Sequence, residues 1–241
     1  MKILITNDDG ISALGIKLLV DWAKKLGEVT VVAPKVEQSG KSHGIELINP
    51  VEVKSSSLFD GVRAYSVDST PADCVRYGIL GLKEHYDLVL SGINRGANLG
   101  KDIVYSGTVG AIFEAAALGH MAIALSTFPD TLVEASAYLD DIYGFITENK
   151  LLDLNPIYNI NIPAKADGIK ITCQGRSYFA DEFEHIGNDM YKQKGHYVED
   201  EDSDNQELDA VAVINGKISI TPMNNDRTNQ EVYKHLSAQY K

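Results

Sequence analysis

The chain has 241 residues, 44% of them hydrophobic and 23% charged, a balance that suits one large soluble α/β domain, alone or with a smaller appendage. Its formal net charge of −12 argues against a nucleic-acid polymer as main partner, since that would need a basic footprint, but it leaves room for a small anion held by local positive charge or by a bound cation. Cys74 and Cys173 form no CxxC pair, which speaks against a disulfide framework or a zinc site; no apolar run approaches the ~20 residues of a membrane span, the first residues turn polar too quickly for a secretory signal, and the expected compartment is the cytoplasm.

Along the chain, Ile3-Leu4-Ile5 is a short apolar run stopped by Asn7-Asp8-Asp9-Gly10, a buried strand followed by a turn. Leu14, Leu18, Leu19, Trp22 and Leu26 repeat with helical spacing, and Gly27 ends that helix. Residues 29–33 are a second strand ended by Pro34, so the unit is strand–helix–strand with a right-handed crossover and parallel pairing. The alternation continues with strands over 64–67, 88–90 and 122–125, helices over 71–81, 107–118 and 132–146, and a long loop over 91–106. Beyond about residue 155 the texture turns to strands, at 157–162, 169–172 and 211–221, without comparable helices. The expected fold is a Rossmann-like, doubly wound, mostly parallel sheet over 1–155, with a smaller β-rich C-terminal extension over 156–241 that ends in a short polar helix, which reads equally as a tail packed on a partner subunit or as a frayed terminus.

In such sheets ligands bind beyond the carboxyl ends of the strands. Three loops lie there. In the first, Asp8 and Asp9 follow the strand, where both carboxylates can converge; they repel each other unless a cation neutralises them, and hard ions such as Mg²⁺ or Mn²⁺ favour such oxygens. An ordinary Asx-rich turn is an equal reading of these residues in isolation. The second loop, 38–44, offers Ser39 as a weak hard-metal ligand, Lys41 as a point charge for phosphate, and His43, a solvated or packed histidine; alone it reads as a flexible polar loop. In the third, Asn94 can offer a carboxamide oxygen to a metal and Arg95 can clamp a phosphate, and the loop opens a helix at Ser106-Gly107-Thr108, whose free N–H groups suit an anion. Ser106 and Thr108 also suit helix capping. The acidic run over 199–204 spaces its aspartates like the start of an EF-hand but lacks the glycine and glutamate of that loop, and reads as solvated.

These motifs resemble the SurE (survival protein E) family of 5′-nucleotidases. The matching pieces are Thr6-Asn7-Asp8-Asp9-Gly10, Gln38-Ser39-Gly40, Thr70-Pro71-Ala72-Asp73-Cys74, Ser91-Gly92-Ile93-Asn94-Arg95-Gly96-Ala97-Asn98 and Tyr105-Ser106-Gly107-Thr108-Val109-Gly110. Asn159-Ile160-Asn161-Ile162-Pro163 and Ile218-Ser219-Ile220-Thr221-Pro222 match further on. The resemblance implies hydrolysis of nucleoside monophosphates, extending to 3′-nucleotides and short polyphosphate, by one divalent cation per subunit held by Asp8, Asp9, Ser39 and Asn94. It also implies a homodimer or homotetramer. Asn98 and the N–H groups around Ser106, Gly107 and Thr108 would then hold phosphate oxygens, and one aspartate would accept a proton from the attacking water. Two rivals remain at this point: attack by Asp8 or Asp9 itself, giving an aspartyl-phosphate, and a non-enzymatic receiver-like or nucleotide-binding regulatory module.

Overall fold

A computed structural model describes residues 1–176, 179–197 and 205–240. Strand β1 (Lys2–Thr6) lies at the centre of its sheet, and Ile3, Leu4 and Ile5 are all fully buried. Ile3 and Ile5 face one hydrophobic layer and Leu4 the other, as the two-residue period of a strand covered on both sides requires. Helix α1 (Leu14–Ala23) crosses to β2 (Glu28–Pro34), and β3 (Val53–Ser56) and β4 (Arg63–Val67) complete this edge of the sheet. Helix α2 (Pro71–Arg76) runs on as a π-helical turn over Tyr77–Gly81 and leads to β5 (Leu88–Arg95). A 3-10 helix, Gly100–Tyr105, precedes helix α3 (Gly107–Ala117) and strand β6 (Ala122–Thr127). Helices α4 (Leu132–Ser136), α5 (Leu139–Glu148) and α6 (Leu151–Leu154) lead to β7 (Ile157–Ile162). Then follow β8 (Ile169–Ile171), the strands β9 (Phe179–Gly187) and β10 (Met190–Tyr197), helix α7 (Asp209–Ile214), β11 (Ile218–Pro222) and α8 (Gln230–Gln239).

The main sheet has the order β3-β4-β2-β1-β5-β6-β7-β11-β8, and the six strands from β4 to β7 are mutually parallel. Strand β3 pairs antiparallel with β4, and β11 antiparallel with β7. The order reverses direction between β1 and β5, which is the switch point where α/β sheets leave a crevice. Helices α1 and α5 cover one face, joined by the Trp22 indole N–H donating to Asp140 at 2.7 Å. Helices α2 and α3 cover the other. The doubly wound expectation therefore holds.

Three expectations need correction. Residues 91–95 are strand, not loop: β5 continues past Ser91 through an irregularity between Ser91 and Asn94 and pairs with β6 as far as Thr127. The helix expected over 132–146 is two helices, α4 and α5, separated around Ala137. The strand expected over 211–221 is helix α7 followed by β11; Ala210-Val211-Ala212-Val213 is fully buried, and a short apolar run looks the same in a helix or a strand. The expected β-rich C-terminal extension is present: β9 and β10 form a separate antiparallel pair, while β7, β11 and β8 continue the main sheet. The acidic run over 199–204 lies outside the described residues.

Candidate active site

The turn after β1 carries Asp8 and Asp9 to the switch point. Asp8 is buried, at 4% exposure, and its two oxygens are both engaged by the first turn of α3. The Thr108 hydroxyl donates to Oδ1 at 2.6 Å and the Thr108 N–H to Oδ2 at 3.1 Å. Gly107 is needed beside it, because a Cβ there would stand 3.0 Å from the Asp8 Cβ. Burial pushes the Asp8 carboxyl above its ordinary range, the Thr108 hydroxyl pulls it down, and the charge of Asp9 pushes it up again. Asp9 is turned to β5, where the Arg95 N–H donates to its Oδ2 at 3.0 Å. Burial raises this carboxyl too, against the Arg95 N–H and guanidinium, which lower it; Glu37 adds a further upward push. Two carboxylates whose ionised forms are both disfavoured make a cation-hungry pair. The neighbouring Asn7 Oδ1 is buried and accepts no hydrogen bond among the described residues.

The other candidate residues take up more varied roles. The Asn94 amide donates to the Gly96 carbonyl at 2.7 Å, which leaves its Oδ1 available as an acceptor. Asn98 is fixed from several sides: its amide donates to Ser126 Oγ at 2.8 Å, its N–H to Asn161 Oδ1 at 2.8 Å, and its carbonyl accepts from the amides of Asn159 and Asn161. Arg95 is exposed, and the bond it makes to the aspartates comes from its backbone. The exposed Ser39 donates to Glu37 Oε1 at 2.7 Å, and among the described residues it makes no hydrogen bond to either aspartate. At the start of α3 the expected row of free N–H groups is mostly spent: Ser106 donates to Ile103, Thr108 to Asp8, and Val109 to the Ser106 side chain. Among the described residues the Gly107 N–H makes no hydrogen bond there, and the helix N-terminus chiefly steadies the Asp8 carboxylate.

The loop that carries Ser39 is anchored at several points. The Gln38 N–H donates to the Asp8 carbonyl at 2.7 Å, Ser42 donates through N–H and hydroxyl to Tyr105 and Val104, and Thr70 donates to the Gly44 carbonyl at 2.7 Å. Asp73 Oδ2 accepts from the Glu46 N–H and the Ser69 hydroxyl, which gives the 70–74 motif its role: it caps α2 and holds this loop. His43 and Glu114 meet at 2.7 Å, and Arg76 donates to the other Glu114 oxygen at 2.7 Å. The His43 and Arg76 bonds hold the Glu114 carboxyl below its usual range although burial opposes them. Gly110 permits the close approach, since a Cβ there would lie 2.5 Å from the Ser42 carbonyl oxygen. Glu114, Asp209, Asn159 and Asn161 were not singled out as site residues from sequence. Asp209, 1% exposed, accepts the N–H groups of Gly100 and Gly175 and so fixes the 3-10 helix. Only the Asn159–Pro163 motif gave a signal, and it carried no role.

Among the described residues no group of three or more His, Cys, Asp or Glu side chains could hold a metal. A site here therefore has to add neutral oxygens to the two carboxylates. Asp8, Asp9 and the free Oδ1 of Asn94 are a hard, all-oxygen donor set, which suits Mg²⁺ or Mn²⁺ rather than zinc.

Fold and site together define a Rossmann-like α/β protein with a paired-carboxylate site at the sheet's switch point. The sequence profile described as "Survival protein SurE" matches residues 3–181. The chain is 39% identical to the "5'-nucleotidase SurE" of Thermoanaerobacter sp. (strain X514), with 99% of this chain and 98% of that protein covered, and 39% identical to that of Thermosipho melanesiensis, with 100% and 98% covered. The crystal structure of the Sure protein from Aquifex aeolicus superposes with a TM-score of 0.81 at 33% identity and covers both chains completely. The chain belongs to the SurE family.

Proposed function

We propose that the protein is a 5′-nucleotidase that hydrolyses nucleoside monophosphates to nucleoside and phosphate, with 3′-nucleotides and short polyphosphates as further substrates of the same site. The observation that carries this reading is the convergence of Asp8 and Asp9 between the start of α3 and the end of β5. The names of the SurE relatives support it. Asp8, Asp9, Ser39 and Asn94 would hold one divalent cation, Mg²⁺ or Mn²⁺, and Ser39 enters that set on giving up its bond to Glu37. Such an ion, when bound, polarises the phosphoryl group and makes a bound water more acidic.

The chain's own groups do the rest. Asp8 is held rigid by Thr108 and orients the site. Asp9 Oδ1 makes no hydrogen bond among the described residues, which leaves that oxygen open to accept the proton of the attacking water. The Gly107 N–H and the second amide hydrogen of Asn98 donate to phosphate oxygens as charge builds in the transition state. The exposed Arg95 guanidinium supplies positive charge at the mouth. Direct attack by water is favoured over a phosphorylated Asp8, because both Asp8 oxygens are engaged by Thr108. Phosphate release from AMP with and without Mn²⁺ separates this enzyme from a binding module.

The protein works in the cytoplasm as a homodimer or homotetramer in this reading. No helix among the described residues is long and apolar enough to cross a membrane, and both cysteines are free thiols. Phe183 and Tyr191 on the β9–β10 pair, and Val232, Tyr233 and Leu236 on α8, are exposed apolar side chains of the kind that subunit contacts cover. Size-exclusion chromatography with light scattering tests the assembly.

A further inference from the structure

A groove of about 240 Å³ opens at Ser106 and follows α3 through Gly110 to Phe113. Its opposite walls are the Ser42–His43 segment, the 3-10 helix, and the residues after β11. A second hollow shares Ser42, His43 and Arg227 with it and carries the groove on to Lys41 and Ala117. From Ser106 to Ala117 the helix rises about 16 Å, so the two hollows form a channel that begins beside the residue whose neighbours hold Asp8.

The charge of this channel runs against that of the chain. The net charge is −12, yet the titratable side chains lining both hollows are Lys41, His43, Lys101 and Arg227, and no carboxylate is among them. Lys41, Lys101 and Arg227 are exposed and make no ion pair among the described residues. His43 is different: it is fastened from behind by Glu114, whose other oxygen Arg76 already occupies. The bond uses Nε2, which leaves Nδ1 for a ligand. Ile103, Phe113 and Met223 supply apolar wall in the same groove. Exposed cations beside apolar wall match an anionic group carried on an apolar body. The phosphate to be hydrolysed lies outside this channel, at Asp8 and Asp9, under the proposed function.

We propose that the channel is a second anion subsite, which takes the additional phosphate of a nucleotide bearing two, such as a nucleoside 3′,5′-bisphosphate. Arg227 can grip a phosphate in a bidentate way, while Lys101 and Lys41 act as point charges. The substrate preference follows from the proposed phosphatase activity and rests on it; the binding of a bisphosphate does not.

The test is calorimetric titration of adenosine 3′,5′-bisphosphate and of adenosine 5′-monophosphate into the metal-free, full-length protein at low ionic strength. The same titrations are made on K101Q/R227Q, and on K17Q/K165Q, which removes two exposed lysines outside the channel. The expected result is that wild type and K17Q/K165Q bind the bisphosphate about tenfold more tightly than the monophosphate, as ~1.4 kcal/mol corresponds to, and that K101Q/R227Q loses the preference. Equal affinities in wild type, a preference retained by K101Q/R227Q, or a preference lost equally in K17Q/K165Q would each overturn the proposal. Phosphate release from adenosine 5′-monophosphate with Mn²⁺ is measured in parallel. If no phosphate is released while the binding preference follows Lys101 and Arg227, the subsite stands and the catalytic reading falls.

Discussion

Thr108 grips the Asp8 carboxylate twice, with its hydroxyl at 2.6 Å from Oδ1 and its N–H at 3.1 Å from Oδ2, across 100 residues of sequence. A buried carboxylate that loses one of two donors is left partly unsatisfied. Thr108→Val keeps the shape and removes the hydroxyl, and is expected to cost about 1–3 kcal/mol in urea unfolding at neutral pH. It should also move the acid limb of kcat/KM to higher pH, because the hydroxyl is a group that lowers the Asp8 proton affinity. Thr108→Ser should restore most of both. An unshifted pH profile in Thr108→Val would mean that Asp8 does not set the acid limb.

The paired aspartates make the metal-free fold pH-dependent with a definite sign. Both carboxyls are raised above 3.8 by burial, so the folded state binds these protons more tightly than the unfolded state. Their contribution to stability is fully present below the unfolded value and is lost as the pH rises through the raised folded values. Chelator-treated protein should therefore gain stability from these groups as the pH falls through that window, and Asp9→Asn should gain less. Divalent cation should flatten the difference, since it neutralises the pair. Identical pH dependence in wild type and Asp9→Asn would contradict this.

Glu114, 6% exposed, joins His43 to Arg76 and so fastens the Ser39 loop to α3. Glu114→Ala leaves the Arg76 guanidinium and the His43 imidazole without their partner and is expected to cost about 1–3 kcal/mol. Gly110→Ala acts on the same contact from the other side, because its Cβ would lie 2.5 Å from the Ser42 carbonyl oxygen. That substitution should weaken Mn²⁺ binding, measured by calorimetry, while the helix itself is retained by far-UV circular dichroism. Unchanged metal affinity would separate the Ser39 loop from the cation site.

Asp209 is fully buried, and it accepts the N–H groups of Gly100 and Gly175 at 2.8 and 3.0 Å. Asp209→Ala strands both donors in a buried place and should cost at least about 2 kcal/mol by urea unfolding. Asp209→Asn, which keeps one acceptor, should cost less. Equal, small effects of the two would show that water replaces the carboxylate freely.

The central strands and α3 were legible because both faces of the sheet are covered, which makes each strand a bounded apolar run with glycine or proline at its end. Helix α7 was not, because four buried apolar residues between turns carry no period. The Asp8–Asp9 pair was visible as a motif and was equally readable as a turn; position after the first strand is what distinguished it. That the helix start over Ser106 to Thr108 is a set of N–H donors was legible, but not that it turns several of them to Asp8, to Ser106 Oγ and to Ile103. The supports of the site were hidden because their partners are far apart in sequence. His43 and Glu114 lie 71 residues apart, and Asn98 and Asn161 lie 63 apart. Such pairs form only once the strands are ordered in the sheet.

The most direct measurement is phosphate release from AMP by protein stripped with a chelator and then supplied with Mn²⁺ or Mg²⁺, for wild type and for Asp9→Asn. The paired-carboxylate site predicts no turnover in the stripped protein, recovery on adding the cation, and a loss of at least about 100-fold in kcat/KM for Asp9→Asn, or ~2.7 kcal/mol of transition-state stabilisation. Full turnover without metal, or wild-type turnover by Asp9→Asn with metal present, would contradict it.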